Sequence, residues 1–270
     1  MTDWHELSRT LFLAYLALFT SSLVFFAIRR PATPERVKKY NFAVRWLGRW
    51  MYWYQAPVIR AMDAAGLNAN GVTFLGLGLT AVAAAFAGYG HIGLAGIVLV
   101  LANWCDLLDG ELARRQGTVH PAGAFLDSNL DRLSEVILFG GLAAGMPGTS
   151  GRFWAFAALS TSLLVSYARA RGEGLGVDCP KGGFERPHRM LVLMFTLLGG
   201  TLASREQAMF AAEMACAVIA LGAGYTAVQR MVVLYGILRR REPTPTPTTA
   251  PKPQQKPARS PLAPRAGESP

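Results

Sequence analysis

The chain has 270 residues, of which 51% are apolar and only 16% charged, with a formal net charge of +10. The apolar residues fall into blocks of about 18 to 22, the length needed to span a bilayer, which excludes an ordinary soluble enzyme. The basic residues lie mainly at the ends of those blocks, so anionic lipid headgroups rather than nucleic acid are the expected partners.

Residues 11–28 (LFLAYLALFTSSLVFFAI) form a first candidate span. The preceding segment is acidic as well as basic, no small-x-small cleavage site follows, and Arg29, Arg30 and Pro31 come next, so a retained anchor (residues 1–28) is expected rather than a signal peptide. Residues 29–66 interleave arginines and lysines with Trp46, Trp50, Tyr52, Trp53 and Tyr54, the pattern of a helix lying in the membrane interface. Residues 67–241 hold six further spans, near 71–89, 92–112, 125–146, 153–168, 190–203 and 208–238. Their short connections, such as 90–92 and 147–152, imply antiparallel neighbours. Residues 242–270 contain nine prolines and almost no large apolar side chains, and are expected to be a disordered tail. The three cysteines have no paired spacing and read as small core residues.

The expected fold is therefore an all-α polytopic membrane protein: an interfacial amphipathic helix and a six-helix transmembrane core, preceded by one extra span. Basic residues concentrate in 29–66, at Arg114/Arg115, in the loop 169–189 and at 239–241. The positive-inside rule puts all of these in the cytoplasm, with the N-terminus outside and the C-terminus inside the cell (inner) membrane.

The chemistry concentrates in residues 106–131, DLLDGELARRQGTVHPAGAFLDSNLD. Asp106/Asp109 are spaced i,i+3 and Asp127/Asp131 i,i+4, so each pair shares one helix face. Converging carboxylates ~6 Å apart repel by ~3 kcal/mol at an effective dielectric near 20, which cations or protons must relieve. All-oxygen ligands suit Mg²⁺, Mn²⁺ or Ca²⁺, and two such ions could clamp a phosphoryl group. Gly110 leaves room for a substrate beside Asp109, and Arg114 can neutralise a phosphate. A metal site at the cytoplasmic ends of membrane helices points to transfer of a phosphate-linked group to or from a lipid.

The run Asp106-x2-Asp109-Gly110-x2-Ala113-Arg114-x8-Gly123-x3-Asp127-x3-Asp131 resembles the defining motif of the CDP-alcohol phosphatidyltransferases at every specified position. The resemblance covers roughly residues 45–235. It implies that Asp106, Asp109 and Asp127 bind divalent metal, Mg²⁺ or Mn²⁺ and two ions, and that Asp131 completes the cluster as general base toward the acceptor hydroxyl. CDP-diacylglycerol would be the phosphatidyl donor and CMP the leaving group. Gly110, Ala113 and Arg114 would line the nucleotide site, and Gly123 would allow close helix packing. Asn70 and Thr73 match a Pro-Asn-x-x-Thr element of the family in which Ala69 replaces the proline, and the resemblance implies that they and Gly123 also line the nucleotide site. A homodimer is also implied.

Two further stretches, Ser166-Tyr167-Ala168-Arg169-Ala170-Arg171 and Glu185-Arg186-Pro187-His188-Arg189, resemble segments of prokaryotic phosphatidylinositol-phosphate and archaetidylinositol-phosphate synthases. That similarity implies a small phosphorylated alcohol, inositol phosphate, as acceptor, bound by Ser166, Arg169, Arg171, Arg189 and Arg230. Glycerol 3-phosphate is the alternative acceptor. Glu135 and Glu111 are expected to face away from the aspartates. A cation transporter would place its acidic residues near the bilayer midplane on broken helices, unlike these span ends. A prenyltransferase would separate its two acidic motifs far more widely along the chain.

Overall fold

The computed structural model describes residues 4–29, 38, 41–179 and 182–241. The proline-rich tail at 242–270 lies outside the described residues, as do 30–37 and 39–40 of the expected interfacial region. The described residues form eight α-helices and no strand: α1 Trp4–Arg29, α2 Phe42–Ala64, α3 Ala69–Gly88, α4 Ile92–Gln116, α5 Pro121–Gly145, α6 Thr149–Gly174, α7 Arg186–Gly199 and α8 Arg205–Arg239.

Helix starts follow from capping side chains. Asn68 accepts from Gly71 N at 2.6 Å and opens α3, leaving Ala69 at the first helical position, where a proline is favoured. His120 accepts from Ala122 N at the start of α5, and Pro121 follows it. Ser204 and Gln207 form a reciprocal capping box on α8. Gly117, in the left-handed region at φ 65°, ends α4 and turns the chain toward α5.

α3 packs on α4 and α5, α6 pairs with α8, and α7 lies between α4 and α8. Small residues set these distances, as membrane helices require. A Cβ on Gly141 or Gly145 of α5 would run into the backbone of Ala84 or Ala87 of α3. The core between the helices gathers Leu99, Leu138, Phe139, Leu142, Leu193, Leu197 and Ile219.

α1 stands against α2 and α4, and much of its apolar surface, including Leu13, Leu18, Val24 and Ile28, is exposed. Its contact with α2 is aromatic: Phe19 meets Trp50 edge-on at 5.2 Å, Phe26 meets Trp46 at 5.6 Å, and Trp50 Nε1 donates to Ser22 Oγ. α2 is tied in turn to the site end of α4 by Arg115–Asp63 at 2.8 Å and by Ile59 against Cys105, Leu108 and Leu112.

Among the described residues, four helices are long and apolar enough to cross a membrane: α1, α3, α4 and α8. α7 has only 14 residues. α5 carries Asp127, Asp131, Arg132 and Glu135 in its first half, more charge than a composition-based reading allows a membrane span. The polytopic, all-helical expectation holds, with fewer spans legible by composition than the seven expected. α8, at 35 residues, is ~52 Å long and exceeds the hydrocarbon thickness.

Candidate active site

α4 and α5 run antiparallel, joined by residues 117–120, so the last turns of α4 and the first turns of α5 lie side by side. Carboxylate oxygens of Asp106, Asp127 and Asp131 lie within 4.8 Å of one another. Asp109 faces the same region but is held separately: Thr73 Oγ1 of α3 donates to its Oδ2 at 2.7 Å. Thr73, expected to touch the nucleotide, therefore also orients an aspartate.

Two cavities meet at these aspartates. One, of about 20 Å³, is lined by Thr73, Asp106, Asp109, Asp131 and Arg186 and has room only for an ion or water. The other, of about 530 Å³, is an open cleft of ligand size. All six residues expected at the nucleotide line it: Asn70, Thr73, Gly110, Ala113, Arg114 and Gly123, together with Asp109 and Asp127. Gly123 makes no close helix contact, since a Cβ there would find its nearest neighbour at 4.0 Å. The expectation of close packing is corrected: Gly123 keeps the cleft wall low. Arg114 is ion-paired to Glu111 at 2.7 Å and still partly exposed at the cleft.

The donor set fits a hard divalent cation. Three convergent carboxylates with a fourth beside them offer oxygen ligands only, and like charges so close need a counter-charge.

Behind the aspartates lies a layer of arginines. Arg186 Nη1 is 3.1 Å from Asp106 Oδ2, and its Nη2 is 2.8 Å from Asp131 Oδ1. Arg189, with no exposed surface, binds Glu135 at 2.6 Å. Arg230 binds Glu185 at 2.6 Å and donates to the Val165 carbonyl. The Nε donors of Arg186 and Arg230 are buried with no hydrogen-bond partner. Arg169 is exposed and paired to Glu173, while Arg171 is exposed and Ser166 half-buried. Arg189 and Arg230 are thus each already engaged by a glutamate, Arg189 by the residue one turn beyond Asp131, while Arg169 and Arg171 are exposed; none of these four lines the two cavities at the aspartates. Arg186 was absent from the expected site residues. Its signal in the sequence, a third arginine in the same basic loop, was indistinguishable from positive-inside bias.

The family model for CDP-alcohol phosphatidyltransferases matches residues 67–238. The chain is 35% identical over 188 residues to an archaetidylinositol phosphate synthase of Methanothermobacter thermautotrophicus, covering 68% of this chain and 93% of that protein. It is 33% identical over 183 residues to a phosphatidylinositol phosphate synthase of Corynebacterium glutamicum, covering 66% and 82%. Among solved structures it resembles the phosphatidylinositol phosphate synthase of Mycobacterium tuberculosis. The form with bound CDP-DAG gives a TM-score of 0.60 at 26% identity, covering 66% of this chain and 92% of that one. The form in complex with manganese and citrate gives 0.61 at the same identity, covering 66% and 88%.

Proposed function

The chain belongs to the CDP-alcohol phosphatidyltransferase family, and from that premise we propose that it transfers the phosphatidyl group of CDP-diacylglycerol to inositol phosphate. It is an integral membrane transferase of phospholipid biosynthesis. The observation that carries the donor half is the cleft at Asp109 and Asp127, into which all six motif-derived nucleotide residues open. The acceptor half rests on the arginine layer. Two buried guanidinium donors without partners, Arg186 Nε and Arg230 Nε, call for acceptor oxygens, since each orphaned donor costs about 1–3 kcal/mol. A phosphate on the acceptor alcohol supplies such oxygens. Ser166, Arg169 and Arg171 would meet it at the rim, with Arg189 and Arg230 trading their glutamates for it.

In the proposed reaction the cytidine end of the donor lies in the cleft, and Arg114 faces its phosphates. Asp131 accepts the proton of the acceptor hydroxyl. The hydroxyl oxygen forms a bond to the lipid-linked phosphorus, the bond from that phosphorus to the bridging oxygen of CMP breaks, and CMP leaves. Asp106, Asp127 and Asp131 with Asp109 would hold divalent metal, Mg²⁺ or Mn²⁺ and two ions in the proposed scheme, which would supply positive charge for the diphosphate. Thr73 keeps Asp109 aimed at the site, and Arg115–Asp63 fixes the interfacial helix beside it.

The decisive experiment follows CMP release from CDP-diacylglycerol by purified enzyme with a panel of acceptors. Turnover with inositol phosphate but not with free inositol or glycerol 3-phosphate is expected. Preference for glycerol 3-phosphate would reassign the acceptor, and full activity in excess EDTA would remove the metal from the mechanism. The proposed topology has the active site cytoplasmic, the N-terminus outside and a homodimer as the assembly.

A further inference from the structure

α5 and α7 meet through two ionic rungs. Asp131 and Glu135 are spaced i,i+4 on α5, while Arg186 and Arg189 are spaced i,i+3 on α7, so both pairs present along one seam. The rungs differ in character. Glu135–Arg189 is sealed, with its side chains 1% and 0% exposed. Its guanidinium also donates to the Phe184 carbonyl. Asp131–Arg186 borders the small cavity and its arginine is 24% exposed. Glu185, at the N-cap of α7, is gripped by Arg230 of α8 and bonds Gly182 N, which fixes the end of the helix that carries Arg186.

The fixed rung therefore sets where the loose one stands. Arg186 forks across Asp106 and Asp131, two of the three carboxylates that converge. A guanidinium and a divalent cation cannot share those oxygens without strong repulsion. Its third nitrogen, Nε, has no partner in this position, so the fork leaves Arg186 incompletely satisfied.

We propose that Arg186 is a built-in counter-cation of the aspartate cluster, which competes with the divalent metal for Asp106 and Asp131 and, once displaced, turns to the phosphate of the acceptor. The proposal rests on the metal-dependent reading above. Arg186 is thus a positioning residue that couples metal loading to acceptor binding: without metal it holds the base Asp131 closed, and with metal it joins the acceptor layer. Arg132, 3.8 Å from Asp131 and more exposed, lacks the fork and plays no such part.

The test measures Mn²⁺ binding to the purified full-length enzyme without lipid substrate, from the loss of the free Mn²⁺ electron paramagnetic resonance signal. Removing a competing charge in contact with two ligands is expected to tighten Mn²⁺ binding by about tenfold in R186Q. R186K keeps the charge but not the fork, so a smaller tightening is expected. R132Q is expected to shift the affinity less than either. In turnover, R186Q should need less Mn²⁺ and more acceptor, a pair of opposite shifts that a merely structural defect would not produce. Equal or weaker Mn²⁺ binding by R186Q overturns the proposal. Should R186Q not survive size exclusion as a folded species, equal or weaker binding by R186K does so instead. Mn²⁺ binding that D106N and D127N leave unchanged would refute the metal site itself, a failure separate from that of Arg186.

Discussion

Asp131 sits at the junction of three roles: it belongs to the carboxylate cluster, it is clasped by Arg186, and it is the proposed base. Asp131→Asn keeps the shape and one acceptor oxygen but cannot take a proton. Turnover is expected to fall by about 10²–10⁴, the usual contribution of a positioned base, while CDP-lipid binding persists. Near-wild-type CMP release by that variant would end the base assignment. One turn along α5, Glu135 serves a different purpose. Its pair with Arg189 has no access to water, so breaking one side leaves a buried charge uncompensated. Arg189→Met is expected to cost about 3–5 kcal/mol of stability, and the double variant E135L/R189M should recover much of the loss. Thermal unfolding in detergent measures both. An equal loss in the single and double variants would mean that packing, not charge, is what the pair contributes.

At the scale of elements, α3 and α5 approach at Ala84, Ala87, Gly141 and Gly145, and the same two helices carry Thr73 and the Asp127/Asp131 pair to the site. Register and chemistry are thus linked. Gly141→Leu forces α5 off α3 and is expected to destabilise the protein by about 1–3 kcal/mol. It should also lower kcat/KM for the CDP-lipid, because the cleft is built from both helices. Unchanged melting with unchanged activity would mean that the helices tolerate separation. This scale also shows what the sequence could and could not reveal. The motif spacing within α4 and α5 is local, so the pairing of the four aspartates is legible from helical period, whereas the six cleft residues follow only from the resemblance to the family motif. Thr73–Asp109, Asp106–Arg186 and Glu135–Arg189 join positions 36, 80 and 54 residues apart, and no periodicity reports such partners. The expectation that Glu135 faces away from the aspartates is corrected: one turn from Asp131 it shares that residue's face and meets the buried Arg189, a partner its neighbours in sequence did not reveal. The span count blurred for a related reason: the charges that α5 turns inward lower its apolarity as surely as charges facing water.

At the scale of the whole molecule, the site lies at one end of the helical bundle and a different set of polar residues lies at the other. Trp4, His5, Gly90, His91 and Arg205 surround a cavity where α1, α7 and α8 meet the α3–α4 turn, away from the aspartates. The asymmetry makes orientation testable with the native cysteines. Cys105 and Cys216 are buried in helices, whereas Cys179 is half-buried in the connection between α6 and α7, near the arginine layer. Positive-inside bias assigns that connection to the cytoplasm. A membrane-impermeant maleimide is therefore expected to leave the protein unlabelled in intact cells and to label Cys179 in inside-out vesicles. Ser150→Cys, at the opposite end where α6 begins, should react from outside. The sidedness matters to the proposed function because the proposed acceptor is a water-soluble phosphate ester that does not cross a bilayer, while the proposed donor lies within it. Labelling of Cys179 from outside would invert the topology and place the aspartates where no cytoplasmic alcohol could reach them.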